Sequence, residues 1–229
     1  MLFTQPASAD KVLQSTSEQT TLIELFTSEG CSSCPPADKW LSQFKHDPNL
    51  WKTVIPIAWH VDYWDYIGWQ DSLAQPEFAD RQRQLAAEGL ISSVYTPGFV
   101  LNGQEWQGWF KQPSLPKTPA KPAGILSATL QDQQVQVKYS GPIQALEFHL
   151  VTLGFDVITK VQQGENAGKT LTHNFVVLTH VKSTSDSNQT KLTLAKKLST
   201  AHQAQAVVVW VNAKGTLPPL QTVGGWLRD

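Results

Sequence analysis

Residues 21–40 read TLIELFTSEGCSSCPPADKW, and the parsing of this stretch decides the fold. Thr21 to Thr27 is a short, mostly apolar run of the kind that forms a strand buried on both faces. From Cys34 through Lys45 the sequence is helical in character, and a second apolar run, VIPIAWHV, follows at 54–61. Strand, helix and strand in that order predict a parallel βαβ unit. Working outward, Pro76 to Leu90 fits another helix, with proline near its start, Gly89 near its end, and Phe78, Leu85 and Leu90 as a partial apolar face. Phe99-Val100-Leu101 is then a strand, which Asn102-Gly103 turns back into Gln104-Glu105-Trp106 as a hairpin.

Between Lys111 and Gly124 the chain reads KQPSLPKTPAKPAG, with four prolines in fourteen residues, the composition of an extended linker or strap. Beyond it the period changes to two, in runs such as Val135–Tyr139, Ala145–Val151 and Val207–Val211. The expected fold class is therefore α/β: an α/β domain over 21–115 and an antiparallel, β-rich, sandwich-like module over 116–229. Residues 1–20 are set apart as a tail. Within it Ala7-Ser8-Ala9 has the A-x-A form of a cleavage site, while the basic and apolar regions of a signal peptide are missing. The tail reads either as a signal-peptide remnant or as a plain polar terminus.

At 229 residues, 41% hydrophobic and 16% charged, the chain has enough apolar surface to fold without a staple. A net charge of -1 gives no support to nucleic-acid binding, and no run of eighteen apolar residues marks a membrane-spanning helix. The charge is divided unevenly: residues 1–115 carry 7 Lys and Arg against 13 Asp and Glu, net -6, and residues 116–229 carry 11 against 6, net +5. The two parts should attract one another.

Cys31 and Cys34 are the only cysteines. Two thiols at i and i+3, after a strand and at the start of a helix, place the first where unpaired N–H groups and the helix dipole favour a thiolate. Cys31 is thus the expected exposed nucleophile and Cys34 the resolving thiol, close enough to attack a mixed disulfide formed on Cys31. Three other uses compete. A structural disulfide closing so short a loop would be a poor staple. Zinc would want a second pair of ligands that is not present. Copper(I) held by the thiols and His60 stays open.

A CxxC opening a helix after a strand, then Thr96-Pro97-Gly98 leading into an apolar strand and an Asn-Gly turn, resembles the thioredoxin-like fold. The resemblance implies that Pro97 is cis and that Thr96 presents backbone to an extended substrate; Tyr95, and Trp64 in the aromatic segment, are further candidates for binding that substrate. The resemblance also implies a buried acid on the strand six positions before the first cysteine. Leu25 occupies that position, and Glu24, seven before, is the nearest candidate proton relay. More narrowly, ELFTSEGCSSCPPAD, HVDYWDYIGW, PEFADRQRQ, VYTPGFVLNG and GENAGKTL together resemble the DUF1223 family, which implies a bacterial protein that is periplasmic or secreted.

The expected function is thiol–disulfide exchange on protein cysteines, with Cys31, Cys34 and Glu24 catalytic and no cofactor or metal required. Its rival is a binding protein whose CxxC is a structural disulfide or a copper clasp. Seven of the nine tryptophans fall between Trp40 and Trp109, either as a partner-binding surface or as packing for the irregular segment His60–Trp69. The Gly164–Lys169 stretch reads as a turn, since it lacks the ending of a phosphate loop.

Overall fold

The computed structural model describes residues 10–111, 114–116, 119–142, 145–195 and 205–228. Ala7-Ser8-Ala9 and parts of the proline-rich segment lie outside the described residues. In chain order the elements are β1 (Lys11–Gln14), β2 (Thr21–Thr27), α1 (Pro35–Ser42), β3 (Val54–His60), α2 (Pro76–Ala87), β4 (Gly98–Leu101) and β5 (Gln104–Glu105). There follow β6 (Leu126–Gln131), β7 (Gln134–Tyr139), β8 (Leu146–Gly154), β9 (Val157–Lys160) and β10 (Thr170–His173). The last four are β11 (Val176–Ser185), β12 (Gln189–Thr193), β13 (Ala206–Ala213) and β14 (Gln221–Trp226).

β2 and β3 pair in parallel without interruption from Thr21 opposite Val54 to Thr27 opposite His60. α1 is the crossover between them. β4 then adds to the other side of β2 antiparallel, and the hairpin to β5 turns on Asn102 (φ 48°) and Gly103 (φ 83°), the positive φ pair that a tight turn of this hand needs. Gly89 (φ 69°) ends α2, where Leu90 N–H returns to Leu85 O at 2.9 Å.

The described strands of the second half are divided among three sheets, one of them the separate β9–β10 pair. Among the described residues the main sheet has eight strands in the order β14-β13-β8-β11-β3-β2-β4-β5, so strands from beyond the proline-rich segment continue the sheet begun by β2 and β3. The joint is parallel: Val176 in β11 stands opposite Ala58 in β3, and Ala58 N–H donates to Phe175 O at 2.8 Å. Alternation of apolar residues predicts a strand but not its neighbour, and so the strands expected to make one module are shared between this sheet and a four-stranded sheet, β1-β6-β7-β12. β1, from the segment read as a tail, is an edge of the smaller sheet, paired with β6.

Two cores result. In β13 the period of two sends Val208 and Trp210 into the core around α1 and α2, and Val207, Val209 and Val211 into the core shared with Leu126, Val135 and Val137 of the smaller sheet. A strand buried on both faces reads as an unbroken apolar run, here VVVWV. No described helix is long and apolar enough to cross a membrane.

Candidate functional site

The carboxyl ends of β2 and β3 and the start of α1 meet at one edge of the sheet. There Cys31 and Cys34 form a disulfide, with Cα atoms 5.4 Å apart. Cys34 is the N-cap of α1, its carbonyl accepting from the N–H groups of Ala37 (2.8 Å) and Asp38 (3.1 Å). Cys31 sits one turn earlier, and its carbonyl accepts from Cys34 N–H at 3.2 Å.

Cys31 is not the exposed thiol expected from its position. Its exposure is 1% and that of Cys34 is 0%, because two segments close over it. From one side Trp64 lies so close to Gly30 that a Cβ at residue 30 would stand 3.0 Å from Trp64 Cβ. From the other, the turn between β9 and β10 reaches across: buried Asn166 donates its side-chain amide to the carbonyls of Glu29 and Cys31, each at 2.9 Å. Glu165 beside it accepts from Ser32 N–H at 3.0 Å, and Lys169 Nζ steadies Asn166 Oδ1 at 2.8 Å.

The Thr96–Pro97 peptide bond is cis. Trp64 Nε1 donates to Thr96 Oγ1 at 2.7 Å, which joins the aromatic segment to the proline loop. Tyr95 anchors that loop, its carbonyl accepting from Gln82 (2.6 Å) and its hydroxyl donating to Glu105 (2.7 Å). Tyr66, 82% exposed, stacks on Trp64 with ring centroids 6.5 Å apart. The structure thus brings Cys31, Trp64 and Thr96 to one edge.

It takes Glu24 away from them. Successive side chains along a strand face opposite ways, and β2 is regular throughout. Thr27 faces α1, on the side of Asp38, whose titration it influences. Glu24 faces α2, where its carboxylate accepts from Arg81 Nε (2.5 Å), Arg81 Nη2 (2.9 Å) and Trp59 Nε1 (2.9 Å). Glu24 is therefore one half of a fully buried ion pair rather than an acid beside the thiols.

The acids on the disulfide side are others. Glu29, Asp38, His60, Asp71 and His173 are all buried behind the CxxC. His60 Nδ1 meets Asp71 Oδ2 at 2.7 Å, and the same oxygen accepts from Glu29 N–H at 2.9 Å. Burial alone would push the imidazole down, but the Asp71 carboxylate, with Asp38 and Glu29, holds His60 up at about 9. Burial likewise opposes the Asp71 charge, and His60 overrules it, so Asp71 lies below its ordinary value. His173 stands edge-on to His60 with ring centroids 4.8 Å apart, and its Nε2 lies 3.5 Å from Glu29 Oε1. Among the described residues no three His, Cys, Asp or Glu side chains are grouped to hold a metal ion, which leaves a copper site with His60 without support.

The His60–Asp71 pair sets a pH range for stability. A His raised from 6.5 to about 9 stabilises the fold fully below 6.5 and loses that contribution as pH rises through about 9. Asp71, lowered from 3.8, contributes above that value and loses it as pH falls. The melting temperature should hold a plateau from about pH 4 to 6.5 and then fall towards pH 9, and His60→Gln should abolish the alkaline slope. An unchanged slope in that variant would show that the pair does not set it.

The family described as "Protein of unknown function (DUF1223)" matches residues 22–212. The chain belongs to DUF1223.

Solved structures similar to this DUF1223 protein include protein AGR_C_4864 from Agrobacterium tumefaciens, at 22% identity over 93% of this chain and 96% of the other, with a TM-score of 0.65. HBP35 of Porphyromonas gingivalis matches 93% of this chain and 77% of its own at 12% identity, with a TM-score of 0.55. At these identities the likeness is one of fold. No curated protein matches. The DUF1223 span takes in the CxxC, the aromatic segment and the turn at 164–169. That turn, His173 and Asp38 escape a reading of the sequence as site residues, since each looks ordinary until the sheet order carries residue 166 back to residue 31.

Proposed function

We propose that this DUF1223 protein is a thiol–disulfide oxidoreductase acting on protein cysteines. The observation that carries the reading is the disulfide closed between positions 31 and 34 immediately before the first turn of α1. Such a site lowers the cost of a thiolate on Cys31 when the bond opens. As a staple it would do little, since the loop-entropy relation gives a four-residue loop about 2 kcal/mol, below the ~3 kcal/mol of a fifteen-residue one. The segment 21–115 is read as a thioredoxin-like unit in which Thr96, Pro97, Tyr95 and Trp64 receive the substrate, with the β-rich remainder extending its sheet. Family resemblance supports export to the periplasm or beyond.

In the oxidising direction a substrate thiolate attacks Cys31 Sγ, the Cys31–Cys34 bond breaks, and its electron pair goes to Cys34. A second substrate thiol then attacks the substrate sulfur of the mixed disulfide and releases Cys31 as thiolate. The substrate is oxidised and the pair reduced; running backwards, the protein reduces its substrate. One observation favours a second reading, a binding protein with an inert structural disulfide: the burial of both sulfurs. Equilibration in glutathione and dithiothreitol buffers, read by tryptophan fluorescence, separates the two. The exchange reading expects a potential between about -270 and -120 mV, whereas one below about -300 mV marks a structural bond.

A further inference from the structure

Both cysteines lie under cover, so exchange at Cys31 requires part of that cover to move, and its two halves are held in different ways. The aromatic half is built into the fold: Trp64 packs on the large core and donates to Thr96 Oγ1, and Ile67 Cδ1 lies 3.4 Å from where a Cβ at residue 30 would stand. The other half is the loop of residues 162–167 at the tip of the β9–β10 pair. Its neck is closed by Val161, whose N–H donates to Lys169 O at 3.0 Å and whose carbonyl accepts from Gly168 N–H at 2.9 Å.

Beyond that neck little holds the loop. Of its six residues only Asn166 is buried, while Gln162, Gln163, Glu165 and Ala167 are exposed. Gly164 runs beside Ile67 and Trp69 but has no side chain to pack on them. Gly164 (φ 75°) and Gly168 (φ 79°) stand in the left-handed region, where glycine turns at no steric cost. Few buried apolar contacts and an exposed backbone are the marks of segments that open locally in a folded protein.

Two side chains tie the loop to the CxxC. Asn166 Nδ2 donates to the carbonyls of Glu29 and Cys31, and Lys169 Nζ holds Asn166 Oδ1 at 2.8 Å. Glu165 sets a carboxylate on Ser32 N–H at 3.0 Å, and the hydrogen bonding from Ser32 keeps that carboxyl below its ordinary value. The closed loop therefore blocks Cys31 by bulk and places a negative charge one residue from the sulfur that an incoming thiolate attacks.

We propose that the 162–167 loop is a displaceable lid on the disulfide. When Asn166 releases the two carbonyls, the loop turns out at its glycines, Cys31 is uncovered, and the Glu165 carboxylate leaves Ser32 N–H. The groups freed by opening are ones that water satisfies, so the cost is a few hydrogen bonds of modest net strength and no part of the core. The partner polypeptide reaches Cys31 only in the open form, which reconciles a covered bond with exchange.

This inference rests on the exchange chemistry proposed above, and its test is separable from it. Reduction of the oxidised full-length protein is followed by stopped-flow tryptophan fluorescence. Asn166→Ala removes the clasp and should speed reduction by dithiothreitol about tenfold, the population change that hydrogen bonds of ordinary net strength control. Asn174→Ala is the control: it loosens the root of the same hairpin, where Asn174 bonds Asp156 N–H and Ser42 Oγ, and should leave the rate unchanged. Glu165→Gln keeps an acceptor for Ser32 and loses the charge. The ratio of its rate with anionic glutathione to that with cationic cysteamine should rise about threefold at low ionic strength, a gain that fades in about 1 M salt. A wild-type rate in Asn166→Ala, or an equal acceleration in Asn174→Ala, would overturn the lid, and an unchanged ratio in Glu165→Gln would overturn the part given to its charge. Should Asn166→Ala not fold, Lys169→Met decides. Lys169 is exposed, so its loss spares the core while freeing Asn166 Oδ1; faster reduction supports the lid and a wild-type rate sinks it. A bond too stable for glutathione to reduce would remove the exchange function and leave the dithiothreitol rates to decide the lid.

Discussion

Cys34→Ser should turn the protein into a trap. Cys31 then keeps its place before α1, with serine as the helix N-cap, a residue type well suited to it. A substrate disulfide attacked by Cys31 becomes a mixed disulfide with no neighbouring thiol to resolve it. Turnover against a protein disulfide should fall by about a thousandfold or more, the scale on which removing one covalent partner is felt. A covalent adduct should accumulate that mass spectrometry assigns to Cys31. Cys31→Ser should be equally inactive yet form no adduct, because Cys34 is the N-cap of α1, one turn further into the fold than Cys31. If both variants behave alike, with no adduct from either, the pair does not exchange with proteins.

Glu24→Gln should damage the fold and leave the redox chemistry alone. Glu24 and Arg81 are 0% and 6% exposed, and the guanidinium lies 5.7 Å from the Trp59 ring centroid and 5.4 Å from that of Trp210. Removing one partner of a buried pair leaves an uncompensated charge and costs about 3–5 kcal/mol. In a domain of this size a kcal/mol moves the melting temperature by about 2–4 °C, so the drop should be on the order of 10 °C. Replacing Glu24 and Arg81 together by apolar residues of similar volume should recover much of it, since the desolvation cost goes with the pair. The potential of the disulfide should not move. A changed potential with an unchanged melting temperature would return Glu24 to the role of proton relay.

The contrast between Glu24 and Asp38 shows what the sequence could and could not tell. The strand at 21–27, the helix from Cys34 and the strand at 54–60 follow from local pattern, and so does the parity that puts Glu24 and Leu25 on opposite faces. Which face carries α1 is a matter of crossover and packing, and only there does Glu24 fall on the α2 side while Asp38 comes to lie on the disulfide side. The strands of the second half are equally plain as strands, for period two is a local property. Their partners are not, because β11 meets β3 through a single parallel register point more than a hundred residues away. Tryptophan clustering is visible from Trp40 to Trp109, yet only the structure shows Trp40 stacked edge-on with Phe99 in the core while Trp64 covers Gly30. His173 and Asn166 carry no motif, and their nearness to the disulfide is a product of sheet order alone.

The clasp of Asn166 on the carbonyls of residues 29 and 31 spans 137 and 135 positions of chain. A ribosome adding about 5–20 residues per second delivers Asn166 roughly 7–27 s after Cys31. For that interval both thiols stand open on an unfinished chain, and oxidants, reductants and neighbouring nascent proteins all have access to them. The cover over Cys31 is therefore a late event of folding, waiting on a turn between β9 and β10 that leaves the ribosome well after the thiols do.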